Sequence, residues 1–103
     1  MSIFLAPEVT FPINISESKD EAGRTVYDVE EGGSFVLRTM TGRECARLEQ
    51  SGGKADACYD ILPSLVVSGI DRKQIDRLDP VVCMIMVRES HRRSHLTEAD
   101  RGN

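Results

Sequence analysis

Tryptophan is absent from this chain of 103 residues, and aromatic residues make up only 5% of it. A core must therefore rest on Ile, Leu, Val and Met, which pack adequately but softly, and the length suits one domain with a modest core. Histidine is almost missing: the two residues, His91 and His95, both fall near the end. The three cysteines, Cys45, Cys58 and Cys83, are odd in number and lack metal-like spacing. No apolar run approaches a membrane span, and the stretch from Met1 to Pro7 lacks the basic region and the length of a secretory signal. These absences lead us to expect a cytoplasmic protein with reduced thiols and no membrane partner. Basic residues are scarce over the first third. There Glu8, Glu17, Asp20, Glu21, Asp28, Glu30 and Glu31 face only Lys19 and Arg24, within a formal net charge of −4. Nucleic-acid binding needs clustered Lys and Arg to displace counterions, so no nucleic-acid partner is expected.

What is present begins with a period of two. Val9, Phe11, Ile13 and Ile15 alternate with Thr10, Pro12, Asn14 and Ser16, which predicts a strand with one apolar face. Pro12 lacks an N–H, so this strand is expected at a sheet edge or to begin late. Thr25 to Val29 and Ser34 to Met40 read as two more strands, separated by Glu30-Glu31-Gly32-Gly33, and a meander is the economical topology.

The pattern changes at Thr41. Thr41-Gly42-Arg43-Glu44 has the capping-box form and opens a short helix that Ser51-Gly52-Gly53 ends. A second helix is expected over Ala55 to Val67, with Cys58, Ile61, Leu62 and Leu65 on one stripe and a kink or a break near Tyr59 to Leu62 caused by Pro63. Asp71 with Gln74 caps a third, and Asp79-Pro80 starts a last one. The run Val81-Val82-Cys83-Met84-Ile85-Met86-Val87 is apolar around the whole circumference. It reads as a helix central to the fold or packed on another chain, with a buried strand as the alternative. For the packed-on-a-partner reading, the stripe Val82, Ile85, Met86 and Glu89 is the candidate partner-binding surface. The resulting fold class is α+β: a small N-terminal antiparallel sheet of three strands, then three or four helices. Residues 1–91 form the single domain, and the polar stretch 92–103 is expected to be disordered.

Catalytic and metal-binding constellations do not assemble. His91 and His95 stand at i, i+4, but no third ligand accompanies them and Arg92 and Arg93 add positive charge between them. No Ser or Cys has a positioned base, Cys83 sits in an apolar run that disfavours its thiolate, and Glu30-Glu31 point to opposite faces of a strand. The glycine pairs lack the Lys of a phosphate loop. The expectation is a protein-binding module that is not an enzyme, with no cofactor and no metal.

The order of features is similar to one family. Phe35-Val36-Leu37-Arg38-Thr39-Met40-Thr41-Gly42-Arg43-Glu44 resembles the Leu-Arg-x-x-Thr-Gly-x-acid junction of the small tail assembly chaperones of Mu-like, contractile-tailed bacteriophages. Leu65-Val66-Val67-Ser68-Gly69-Ile70, followed by Ile75-Asp76-Arg77-Leu78-Asp79-Pro80, resembles that family's helix, turn, short helix and Leu-Asp-Pro start of a last helix. The chain departs from the family at Val81-Val82, where an acid followed by an aromatic is usual. The resemblance spans roughly Val9 to Glu89. It implies a non-enzymatic protein of the host bacterial cytoplasm that coats the tape-measure protein before tail-tube subunits polymerise around it, often with a second form made by translational frameshifting. The small size and soft core independently suit stabilisation by a partner or by self-association. The alternatives are a phage- or mobile-element-encoded inhibitor of a host defence protein, and a virion head–tail structural protein.

Overall fold

The period-two segment forms a strand, β1 (Thr10–Lys19), with Phe11 and Ile13 buried and Thr10, Pro12 and Asn14 exposed. The computed structural model describes residues 8–102, with side chains described as far as Ser94. β1 is followed by β2 (Thr25–Glu31), β3 (Phe35–Arg38), α1 (Gly42–Ser51), α2 (Ala55–Leu65), β4 (Val66–Ser68), α3 (Arg72–Asp76) and α4 (Pro80–Gly102). The architecture is α+β, with a four-stranded sheet antiparallel throughout, in the order β2-β1-β3-β4.

That order corrects the meander, which would have placed β2 in the middle, and the edge position expected of β1. β1 takes an interior place instead, between β2 and β3. The chain crosses from one side of β1 to the other between β2 and β3. There the Gly32 N–H donates to Pro12 O at 3.0 Å. Gly33 passes so close to β1 that a Cβ would lie 2.2 Å from Ile13 O, which only glycine permits. Pro12 is tolerated in a central strand for a local reason. Its carbonyl, and hence its missing N–H, point to the β2 side, and β2 pairing begins only at Ile13↔Glu31.

A fourth strand was not expected. The apolar stripe of α2 is as read, with Cys58, Ile61, Leu62 and Leu65 all buried. The helix stops at Leu65, however, and Val66–Ser68 turns away to pair with β3, with a bulge between Val36 and Leu37. Two β-branched residues at the end of a helix, next to an open sheet edge, favour this exchange. Pro63 falls in the last turn and α2 is uninterrupted from Ala55, so the expected break does not occur.

The local stop and start signals appear as expected. Thr41 and Glu44 form a reciprocal capping box on α1, Asp71 and Gln74 another on α3, and Asp79 Oδ1 accepts from the Val81 N–H at 2.9 Å at the start of α4. Val81 to Val87 is helix, not strand. Cys83, Met86 and Val87 of α4 pack with α2 and with Phe11, Ile13 and Leu37 of the sheet in one core.

The domain does not end at residue 91. Arg92, Arg93 and Ser94 continue α4, and two of them tie it to the sheet. The Met40 N–H donates to Ser94 Oγ at 2.8 Å, and Arg93 stacks 4.3 Å from the Phe11 ring centroid while pairing with Glu31. These contacts overturn the disorder expected for residues 92 to 94. Backbone groups at the irregular turn after β3 need partners, and α4 supplies them.

Candidate functional site

The proposed partner stripe on α4 is mostly interior. Met86 has 0% exposure and Glu89 8%, while Val82 is half-buried against the core and Ile85 half-exposed. The stripe is therefore corrected. The inward face carries Cys83, Met86, Val87 and Ser90, at helical spacing, and the outward face carries Val81, Ile85, Arg88 and Arg92. Only Ile85 is shared with the expected surface. Glu89 is occupied within the domain: the Arg93 Nε–H donates to it at 3.0 Å, and Arg92 pairs with it as well. Burial would raise its carboxyl, yet the hydrogen bonds and charges of Arg92 and Arg93 hold it below the usual range.

The segment that carried the family resemblance forms one connected unit. Leu37 is fully buried under the helices. Arg38 donates from its two terminal nitrogens to the two oxygens of Glu44 at 2.8 and 2.9 Å. Glu44 also accepts from the Thr41 N–H at 2.9 Å, and Thr41 Oγ1 caps Glu44 N at 3.2 Å. The spacing from Arg38 to Glu44 thus joins the end of β3 to the first turn of α1 by a bidentate pair, the strongest geometry available to these groups. Its role is to fix the angle at which the helical half leaves the sheet.

Two serines of α4 complete this junction. Ser90 Oγ donates to Arg38 O at 2.6 Å, and Ser94 Oγ donates to Ser90 O at 2.9 Å while accepting from Met40 N. Ser90 has 0% exposure, so water does not replace its hydroxyl. Ser90→Ala is expected to lower stability by about 1–2 kcal/mol by leaving the Arg38 carbonyl without its donor. The urea midpoint measures this, and an unchanged midpoint would mean that the carbonyl finds another partner.

Reactive groups do not converge. Burial pushes the Cys83 thiol up to about 12, with Cys58 nearby adding to the effect, and burial raises Cys58 as well. Both stay protonated at neutral pH and behave as small apolar residues. His91 contacts Glu49 at 3.4 Å across α1 and α4, whereas the side chain of His95 lies outside the described residues. Among the described residues no group of three or more His, Cys, Asp or Glu is placed to hold a metal ion, and no helix is long and apolar enough to cross a membrane.

The surface that the sequence did not single out is the outer edge of the sheet. β2 pairs with β1 alone, and its exposed outer face shows Val26, Asp28 and Glu30. The signal was available in part, since acids alternate with apolar residues along Thr25 to Glu31. Its place at the edge depends on the crossing at Gly33. Comparison with family models, with curated proteins and with solved structures gives no match to this chain.

Proposed function

We propose that this protein is a non-enzymatic binding module of the phage tail assembly chaperone type, acting in the host bacterial cytoplasm on the tape-measure protein. One observation carries the reading. Within the Leu-Arg-x-x-Thr-Gly-x-acid junction, Arg38, Thr41 and Glu44 bond to one another as a single strand-to-helix joint, with Leu37 buried and Gly42 opening α1. A sequence pattern whose members bond to one another is a structural unit, which makes it a better marker of kinship than a set of scattered caps. The second half supports the reading too. Leu78-Asp79-Pro80 opens α4 with an Asp cap, in the order that the resemblance requires. A soft core without Trp, and cysteines that stay protonated, suit a module that works by contact and not by chemistry.

Co-expression with the tape-measure protein encoded beside it tests the reading. The expected outcome is a tape-measure chain kept in solution and co-purifying with this protein. A tape-measure chain that precipitates equally with and without the folded protein would refute it.

A further inference from the structure

The sheet has two edges, and they differ. β4 at one edge has only three residues and is bulged against β3, which leaves little straight backbone to pair with. β2 at the other edge is seven residues long, without proline or glycine, and regular against β1 over the whole of Ile13↔Glu31 to Lys19↔Thr25. The hydrogen bonds at its two ends set which groups are free. Gly32 N donates to Pro12 O, and Asp20 N donates to Arg24 O, so the even-numbered residues of this strand direct their backbone groups at β1. In an antiparallel strand the odd ones then face outward. The N–H and C=O of Thr25, Tyr27, Val29 and Glu31 form an open ladder along the edge, with no strand paired to it among the described residues.

The side chains along this ladder alternate in character. Tyr27 and Val29 lie on the core-facing side of the sheet, level with Glu17 and Ile15 of β1. Asp28 and Glu30 lie on the open side, exposed, and among the described residues neither enters an ion pair. A second copy of this chain is a poor occupant. Antiparallel pairing of β2 with itself would set Asp28 and Glu30 against the same acids of the other copy, and like charges across a ladder are destabilising.

We propose that the β2 edge takes up an extended peptide segment of a partner protein by strand addition, and that the segment alternates apolar residues with Lys or Arg. Its apolar residues lie beside Tyr27 and Val29, its basic residues beside Asp28 and Glu30, and its main chain bonds to the outward groups of Thr25, Tyr27, Val29 and Glu31. Main-chain bonds supply most of the affinity, and the two acids select the sign of the partner's charge. The inference deepens the proposed function by naming the client-binding surface. It rests on that reading only for the identity of the client.

The test uses the intact protein and two synthetic ten-residue peptides, one alternating Val and Lys and the other Val and Glu. Amide hydrogen exchange is followed by NMR. With the Lys peptide, the amides of Thr25, Tyr27, Val29 and Glu31 are expected to slow at least roughly tenfold, while those of Asp28 and Glu30, already bonded to β1, change little. The double variant Asp28→Lys, Glu30→Lys alters only exposed positions and is expected to keep its circular dichroism spectrum. It weakens the Lys peptide roughly tenfold, from the loss of two exposed ion pairs, and gains binding to the Glu peptide. Three results would overturn the proposal: protection confined to other residues, equal binding of both peptides, or concentration-dependent protection of the same amides without peptide. The last would assign the edge to a second copy. A peptide result in agreement with failure of the tape-measure experiment would leave the edge as a binding site for a different client.

Discussion

Met86→Glu is expected to unfold the protein. Met86 has 0% exposure and packs in the core shared by α2, α4 and the sheet. A carboxylate there loses its hydration with no cation to pair with, at a cost of several kcal/mol beyond the roughly 2–5 kcal/mol lost when such a methionine is cut to alanine. Total stability for a domain of this size is about 5–15 kcal/mol, so the substitution removes most or all of it. Circular dichroism should show loss of both helix and strand signals. Ile85→Glu makes the control. Ile85 is half-exposed on the outward side of the same helix, and the variant should remain folded, with a change below about 1 kcal/mol. If the two variants behave alike, the rotation of α4 described above is wrong.

Glu44→Ala is expected to cost about 2–4 kcal/mol. It removes two charge-assisted hydrogen bonds from Arg38, worth roughly 1.5–3 kcal/mol together, and the return half of the α1 capping box, worth roughly 0.5–1 kcal/mol more. Arg38 and Glu44 are 18% and 20% exposed at the side chain, so solvent screens the pair only partly. The hydrogen bond from Arg38 is the main reason that the Glu44 carboxyl lies below its ordinary range; burial opposes the shift, and the Thr41 N–H assists it. The sign of the pH dependence follows. A group with a depressed value in the folded state stabilises fully above its unfolded value, about 4.3 for Glu, and that stabilisation fades as pH falls through the folded value. Glu44→Gln should therefore lower the urea midpoint at neutral pH and close the gap to the parent as the solution is acidified below pH ~4. A gap that stays constant on acidification would mean that the Arg38 pair contributes little.

Much of the fold was legible because its signals are local. The alternation over Phe11, Ile13 and Ile15, the caps at Thr41, Asp71 and Asp79, and the inward stripe of α2 each depend on neighbours within a few residues. The order of the strands was not legible, because it turns on the close passage of Gly33 over Ile13. The facing of α4 misled for a different reason. Val81 to Val87 has no polar side with which to orient it, and beyond it Ser90 reads as a solvent residue. Ser90 faces inward, because the irregular backbone at Arg38 needs a donor, and Ser94 meets the same need at Met40. Polar residues that serve buried main-chain groups invert the usual rule that polarity marks the outside. Of the expected partner surface, Ile85 alone remains outward. The β2 edge, with Asp28 and Glu30, takes its place as the candidate.

The bonds from Ser94 to Met40 and from Arg93 to Glu31 span 54 and 62 residues. During translation, then, the Phe11 and Ile13 face of the nascent sheet lacks its full cover until Cys83, Met86 and Val87 have cleared the exit tunnel, and its latch until Arg93 and Ser94 have followed. Folding of the sheet can therefore finish only after Ser94 has emerged. The same two contacts limit any change of reading frame. A slip before the codon for Ser94 would strip the sheet of its latch, whereas a slip after it could append new sequence to an already finished domain.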